Sequence, residues 1–169
     1  MKLGTFALVA AAALAILTPR GAFADQTIAY PTVEESLFTI VSPEDWELTP
    51  AEEKDDYFVL EGPTGATLYL RAMPGKIEET IDENLEYLEE NYKDINIGEP
   101  SESSEGGFAS LAASGTGKSK EDDTEVSFGM AWIAFPTGQV AEIWFETTAD
   151  DKEGAAAAQK ILQSFTPAK

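Results

Sequence analysis

The sequence predicts an α+β domain in which a mainly antiparallel sheet of about five to seven strands is flanked by two helices. Three observations carry that expectation. Apolar residues recur at helical spacing from Ile77 to Tyr92, a second helical segment follows Asp150 and Asp151, and the rest consists of short β-rich runs punctuated by glycine and proline.

The chain opens on something other than the domain. Met1-Lys2 is a short basic start, Leu3 to Leu17 is apolar without an acid or a base, and Thr18, Pro19 and Gly21 break any helix. Ala22-Phe23-Ala24 then offers the small residues that signal peptidase needs. Residues 1–24 therefore read as a cleavable secretory signal peptide. An uncleaved anchor is the rival reading, but the run is shorter than the roughly 20 residues that span a bilayer. With no cysteine in the chain there is no lipobox and no acyl tether. Residues 25–169 are left as a single globular domain, exported to a periplasm, a lumen or the medium, with no membrane insertion once the leader is removed.

Within that domain Leu37 to Val41 is the first strand-like run, stopped by Ser42-Pro43, and Pro43-Glu44-Asp45-Trp46 is a turn ending in a large anchor. Leu48 to Asp56 is polar and reads as a loop. Tyr57–Glu61 and Ala66–Met73 flank Gly62-Pro63-Thr64-Gly65 as a hairpin, with Leu68, Leu70 and Ala72 on one side and Tyr69, Arg71 and Met73 on the other. The helix from Ile77 to Tyr92 carries its stripe at Ile77, Ile81, Leu85, Leu88 and Tyr92. Its other face is almost wholly acidic, and pairs such as Glu79/Glu83 and Glu86/Glu90 each cost about 0.2–0.5 kcal/mol. Such a helix must be held by a sheet.

Ser101 to Gly107 reads as a connection, and Phe108–Gly115, Thr124–Phe135 and Gln139–Thr147 as a three-stranded meander whose last turn is Pro136-Thr137-Gly138. Val126, Phe128, Met130, Trp132 and Ala134 share one face of the middle strand, which is apolar on both faces and so expected to be covered on both. The last strand sets Ala141, Ile143 and Phe145 against Glu142, Trp144 and Glu146. Asp150 or Asp151 caps the closing helix, which runs through Ser164 with Ile161, Leu162 and Phe165 inward.

Composition restricts the chemistry. The chain has 11 basic and 31 acidic residues, no histidine and no cysteine. Lys2 and Arg20 leave with the leader and no acid does, so the processed chain is more acidic still. Nucleic acid and anionic lipid are disfavoured as partners; cations or a basic patch on a protein are what such a field attracts, and solubility alone, as in a salty medium, is the alternative. The missing residue types remove a histidine base, a cysteine nucleophile and the usual zinc, haem and copper ligands. A non-enzymatic role is the expectation, without a cofactor unless calcium is one.

Three constellations stand out. Gly115-Thr116-Gly117-Lys118-Ser119 suggests a phosphate loop, but Ala112 stands where the pattern requires glycine and another strand follows instead of a helix. A flexible hairpin connection is expected there. Glu121, Asp122, Asp123 and Glu125, and separately Glu52, Glu53, Asp55 and Asp56, could offer oxygens to calcium, though neither follows the EF-hand spacing; diffuse cation screening is the alternative. Trp144 between Glu142 and Glu146 is the candidate ligand site, since a ring framed by acids suits a cationic group. The alternative is that the second helix covers this face and Trp144 is core, as Trp132 is expected to be.

The segment Phe38-Thr39-Ile40-Val41-Ser42-Pro43-Glu44-Asp45-Trp46 resembles the opening strand and P-x-x-W turn of PsbP-like domains, a group that includes photosystem extrinsic proteins and bacterial DcrB-like exported proteins. Lys160-Ile161-Leu162-Gln163-Ser164-Phe165 is similar to their final helix, and the parts between fall in matching order. The resemblance implies a PsbP-like α/β/α sandwich without an active site, acting as an accessory or docking module of the cell envelope. It carries over no ligand residue.

Overall fold

Residues 25–51, 56–104 and 108–168 are described by the computed structural model. The expected leader, residues 1–24, lies outside them, as do residues 52–55 of one acidic run. Within the described residues no helix is long and apolar enough to cross a membrane.

Among the described residues, eleven strands and two helices follow in the order β1 (Asp25–Tyr30), β2 (Phe38–Pro43), β3 (Glu47–Thr49), β4 (Phe58–Glu61), β5 (Thr67–Pro74), α1 (Ile77–Asn91), β6 (Tyr92–Ile97), β7 (Ser101–Ser103), β8 (Ala109–Ser119), β9 (Glu125–Ala134), β10 (Gln139–Thr148), α2 (Lys152–Gln163) and β11 (Thr166–Pro167). The main sheet has the order β3-β4-β5-β10-β9-β8-β6, with β7 also on β8, and a small sheet has the order β1-β2-β11. Every pairing is antiparallel. The fold class is the one expected, and the main sheet has eight strands because short edge pieces extend it.

The two faces of the main sheet are covered differently. On one face Leu60, Leu68, Leu70, Ala141 and Ile143 meet the small sheet and α2 through Phe38, Ile40, Ala158 and Ile161. On the other, α1 lies over Phe128, Met130, Trp132, Val140 and Trp144 and inserts Leu88 among them. Both faces of β9 are thus buried, as its composition requires. Trp46 is buried where the Pro43 turn places it, its ring so close to Gly62 that a β-carbon there would sit 2.8 Å from it.

Four local expectations are corrected. Asp25–Tyr30 is a strand, pairing with β2 across its whole length. Glu47–Thr49 is paired with β4, so the loop expected from Leu48 begins later. Ser101–Ser103 pairs with β8, within the segment read as a connection. Gly115–Ser119 is no flexible hairpin connection but the end of β8, paired with β6 on one side and β9 on the other. The glycine has a packing reason: a β-carbon on Gly115 would stand 2.6 Å from both the Asn96 carbonyl and the Phe128 ring.

Candidate functional site

Strand β10 organises the site. Its alternation sends Glu142, Trp144 and Glu146 toward α1, and β5 lies alongside with Arg71 opposite Glu142 and Tyr69 opposite Trp144. Helix α1 adds Glu83, Asn84 and Tyr87, and Tyr57 arrives from just before β4. All of these side chains except Glu146, eight in number, line a cavity of about 320 Å³.

Its base is a buried carboxylate. Glu142 is only 1% exposed. Tyr57 Oη donates to its Oε1 at 2.8 Å, Asn84 Nδ2 donates to the same oxygen at 2.6 Å, and Arg71 Nε donates to Oε2 at 2.6 Å. Trp132 Nε1 in turn donates to Asn84 Oδ1 at 2.9 Å, which orients the amide. The remaining reach of Arg71 goes to Glu83 at 3.2 Å, and its guanidinium lies 4.4 Å from the centre of the Tyr57 ring. Burying a charge pair costs several kcal/mol per ion unless hydrogen bonds satisfy the remaining oxygens, and here they do. Among the described residues no buried side-chain nitrogen or oxygen lacks a partner.

The network sets the protonation of its members. Burial alone would disfavour the Arg71 charge, but Glu142 beside it outweighs that and raises its pKa. Burial first, and then Glu142, pushes the Tyr57 phenol well above its ordinary range, so it remains a donor. Tyr69 is pushed up to about 12 by burial and then by the field of Glu146. Each of these groups is locked in one state near neutral pH. The arrangement holds and orients these side chains.

Of the expected ligand residues, the structure brings Glu142 and Trp144 together and parts them from Glu146. That carboxylate accepts from Tyr92 Oη at 2.5 Å and faces a neighbouring depression lined also by Tyr87, Lys120, Glu121 and Asp122. Trp144 is buried, stacked on Phe128 at 5.7 Å and meeting Tyr87 edge-on at 5.6 Å. The helix that covers it is α1, not the second helix. Trp132 is core, as expected, but it also holds Asn84.

Of the four acidic residues at the β8–β9 turn, Asp122, Asp123 and Glu125 have local partners, and Glu121 lines the depression beside Glu146. Asp122 Oδ1 accepts the Thr124 amide at 3.0 Å, Asp123 pairs with Lys93, and Glu125 reaches Lys118 at 3.6 Å. Among the described residues no group of three or more acidic side chains is placed to hold a metal ion.

Sequence reasoning missed Tyr57, Asn84 and Tyr87 altogether and saw Arg71 only as a face assignment. A usable signal existed for Arg71: it is the sole charge in β5 and shares a face with Tyr69. Asn84 gave none, because polar residues on an acidic helix are read as outward.

No family profile matches the sequence, and no curated protein matches it. Solved structures do match in shape. Cyanobacterial PsbP (CyanoP) from Synechocystis aligns with a TM-score of 0.61 at 8% identity, over 92% of this chain and 99% of that one. LpqN, described as involved in cell envelope biogenesis of Mycobacterium tuberculosis, aligns at 0.58 and 16% identity, covering 86% and 91%. The Saccharomyces cerevisiae Ran-binding protein Mog1p aligns at 0.58 and 12% identity, covering 86% and 96%. The chain has a PsbP-like fold.

Proposed function

We propose that this PsbP-like fold serves as an exported, non-enzymatic accessory domain of the cell envelope, working through protein contacts and without a resident cofactor. The observation that carries the reading is the saturation of Glu142. The most deeply buried carboxylate among the described residues has three donors on its two oxygens, which supports a role for it as a strut over one as a catalytic base. The leader at residues 1–24 supports export, and the absence of histidine and cysteine supports binding over turnover. Mog1p, described as Ran-binding, and LpqN, described in cell envelope biogenesis, are precedents for such uses of the fold.

Two measurements test the proposal. Expressed in a bacterium, the chain is expected outside the cytoplasm with Asp25 at its N-terminus; uncleaved cytoplasmic protein would remove the export half. Cross-linking in envelope preparations should trap a partner at low salt and lose it in molar salt. Turnover of a compound by processed protein, abolished by changing one carboxylate, would replace the accessory role with an enzymatic one.

The cavity beneath α1 favours a second, compatible reading as a small-ligand module. At about 320 Å³ it lies at the small end of ligand pockets and is walled by four aromatic rings. Calcium at the β8–β9 turn is the rival form of this reading, and calorimetry with calcium separates them: saturable heat would move the site to the turn.

A further inference from the structure

We infer that the cavity beneath α1 binds a small organic cation of the quaternary ammonium class, held by Tyr69, Tyr87 and Trp144 with Glu83 at its edge. This rests on the small-ligand reading and gives it a chemistry.

Shape comes first. Tyr57 and Tyr69 meet edge to face at 6.0 Å, Tyr69 and Trp144 are cross-strand partners, and Tyr87 meets Trp144 edge-on at 5.6 Å. The four rings thus form one continuous aromatic lining. The faces of such rings are negative, and aromatic cages of this kind recognise methylated ammonium groups that cannot donate hydrogen bonds. The molecule already uses the interaction, because the Arg71 guanidinium lies over the Tyr57 ring.

Charge comes second. The cavity is lined by one cation, Arg71, and two carboxylates, Glu83 and Glu142. The guanidinium is engaged by both acids, which leaves it poorly placed to receive a ligand carboxylate. Glu83 keeps 56% of its side chain exposed, so it can turn toward an incoming cation at little cost. Glu146 adds a third negative charge behind the tyrosines: its field raises the pKa of both Tyr69 and Tyr87, after burial. A field that opposes phenolate favours an ammonium in the same place.

Size comes third. About 320 Å³ admits a choline-sized head and excludes a folded peptide. Tyr87 is 46% exposed, so the helix edge at the mouth is within reach of solvent.

The test is calorimetric titration of the processed chain with choline and with dimethylbutanol, its neutral carbon isostere. Choline is expected to bind saturably, and the isostere about tenfold or more weakly. Tyr87→Ala should weaken choline by about tenfold, Glu83→Gln by about twofold to fivefold, and Leu85→Ala, on the same helix outside the cavity, should leave it unchanged. Equal binding of choline and its isostere would overturn the cationic class and leave a small-ligand site standing. Silence with both would overturn the inference and the small-ligand reading together. Choline binding that Tyr87→Ala leaves intact would overturn the location.

Discussion

The two helices cover opposite faces of one sheet and are built to opposite standards. Helix α2 is capped by Asp151, whose side chain accepts the Gly154 amide at 2.8 Å, carries Glu153 in its first turn and Lys160 in its last, and buries Gly154, Ala158 and Ile161. Each feature agrees with the helix dipole and with an apolar neighbour. Helix α1 has no side-chain cap, no basic residue in its last turn, and buries Thr80 and Asn84 beside Leu88. One helix follows most local rules and closes the core. The other breaks several and roofs the cavity. A helix that is costly by its own sequence and turns polar residues inward is where a functional or strained site is expected.

The largest expected effect breaks that contrast at its centre. Glu142→Leu removes the buried partner of Arg71, leaving it the exposed Glu83, and strips acceptors from Tyr57 and Asn84, and should destabilise by about 3–5 kcal/mol. Combined with Arg71→Met, it should recover most of the loss, because two apolar side chains then replace a desolvated pair. Urea unfolding of both variants checks this. A double variant as weak as the single one would mean that the pair serves stability and the cavity is incidental.

On the α2 side the sharpest substitution is one that ordinarily helps. Gly→Ala in a helix gains about 1 kcal/mol from propensity. At Gly154, however, the added carbon would collide with the Asp151 carboxylate and stand 2.6 Å from Thr64 Oγ1 and 2.7 Å from Ala66 Cβ. Crowding there is backed by the β4–β5 turn, so Gly154→Ala should lose about 1–3 kcal/mol net. A gain in thermal stability would show that α2 is docked less tightly than its packing indicates.

The cap itself is worth less. Asp151→Ala should cost about 0.5–2 kcal/mol. Its carboxyl lies below the usual 3.8, held there by the Gly154 amide first, against a small opposing effect of burial, and then by Thr64 and Thr147. The folded state therefore binds fewer protons than the unfolded chain just below pH 3.8, and the cap's contribution is complete above that value. It fades as pH falls through the depressed pKa. Acid unfolding of wild type and variant should converge there, and parallel curves would remove the cap from the account.

Much of this contrast was legible beforehand, and the gaps have physical causes. The faces of β5, β9 and β10 followed from alternation alone, because a period of two leaves a strand no other way to bury Leu68, Phe128 or Ile143. The cap was legible to within one residue, Asp150 or Asp151, because capping is local, and the structure places it at Asp151. Strand β1 was missed although Ile28 and Tyr30 are core, since two buried positions at the strand's end make too short a pattern. The site was half legible. Glu142 and Trp144 sit on one strand, whereas Asn84 and Tyr57 reach Glu142 from 58 and 85 residues away. Asn84 also misled the helix assignment: the stripe read from Ile77, Ile81 and Leu85 puts Leu85 inward, but the helix turns to serve Glu142 and leaves Leu85 exposed.

The smallest expected effect concerns the outer surface of α1, where acid follows acid. Glu86 is exposed, with Glu90 one turn ahead and Asp82 one turn behind. Replacing it by lysine removes two repulsions and creates two attractions, so Glu86→Lys should stabilise by about 0.5–1 kcal/mol at low ionic strength. Added salt screens the same charges, the Debye length falling from about 10 Å at 0.1 M to about 3 Å at 1 M. The wild-type domain should therefore melt higher in molar salt, and Glu86→Lys should narrow the rise. A substitution on the far side, Ala156→Lys on the exposed surface of α2, separates local repulsion from total charge, because it alters net charge without touching the acidic run. If Glu86→Lys, a change of two charges, narrows the salt response only about twice as much as Ala156→Lys, a change of one, the acidity acts as a global field and α1 is no special burden. If only Glu86→Lys narrows it, the strain belongs to the helix that roofs the cavity, and the contrast between the two helices reaches to their solvent faces.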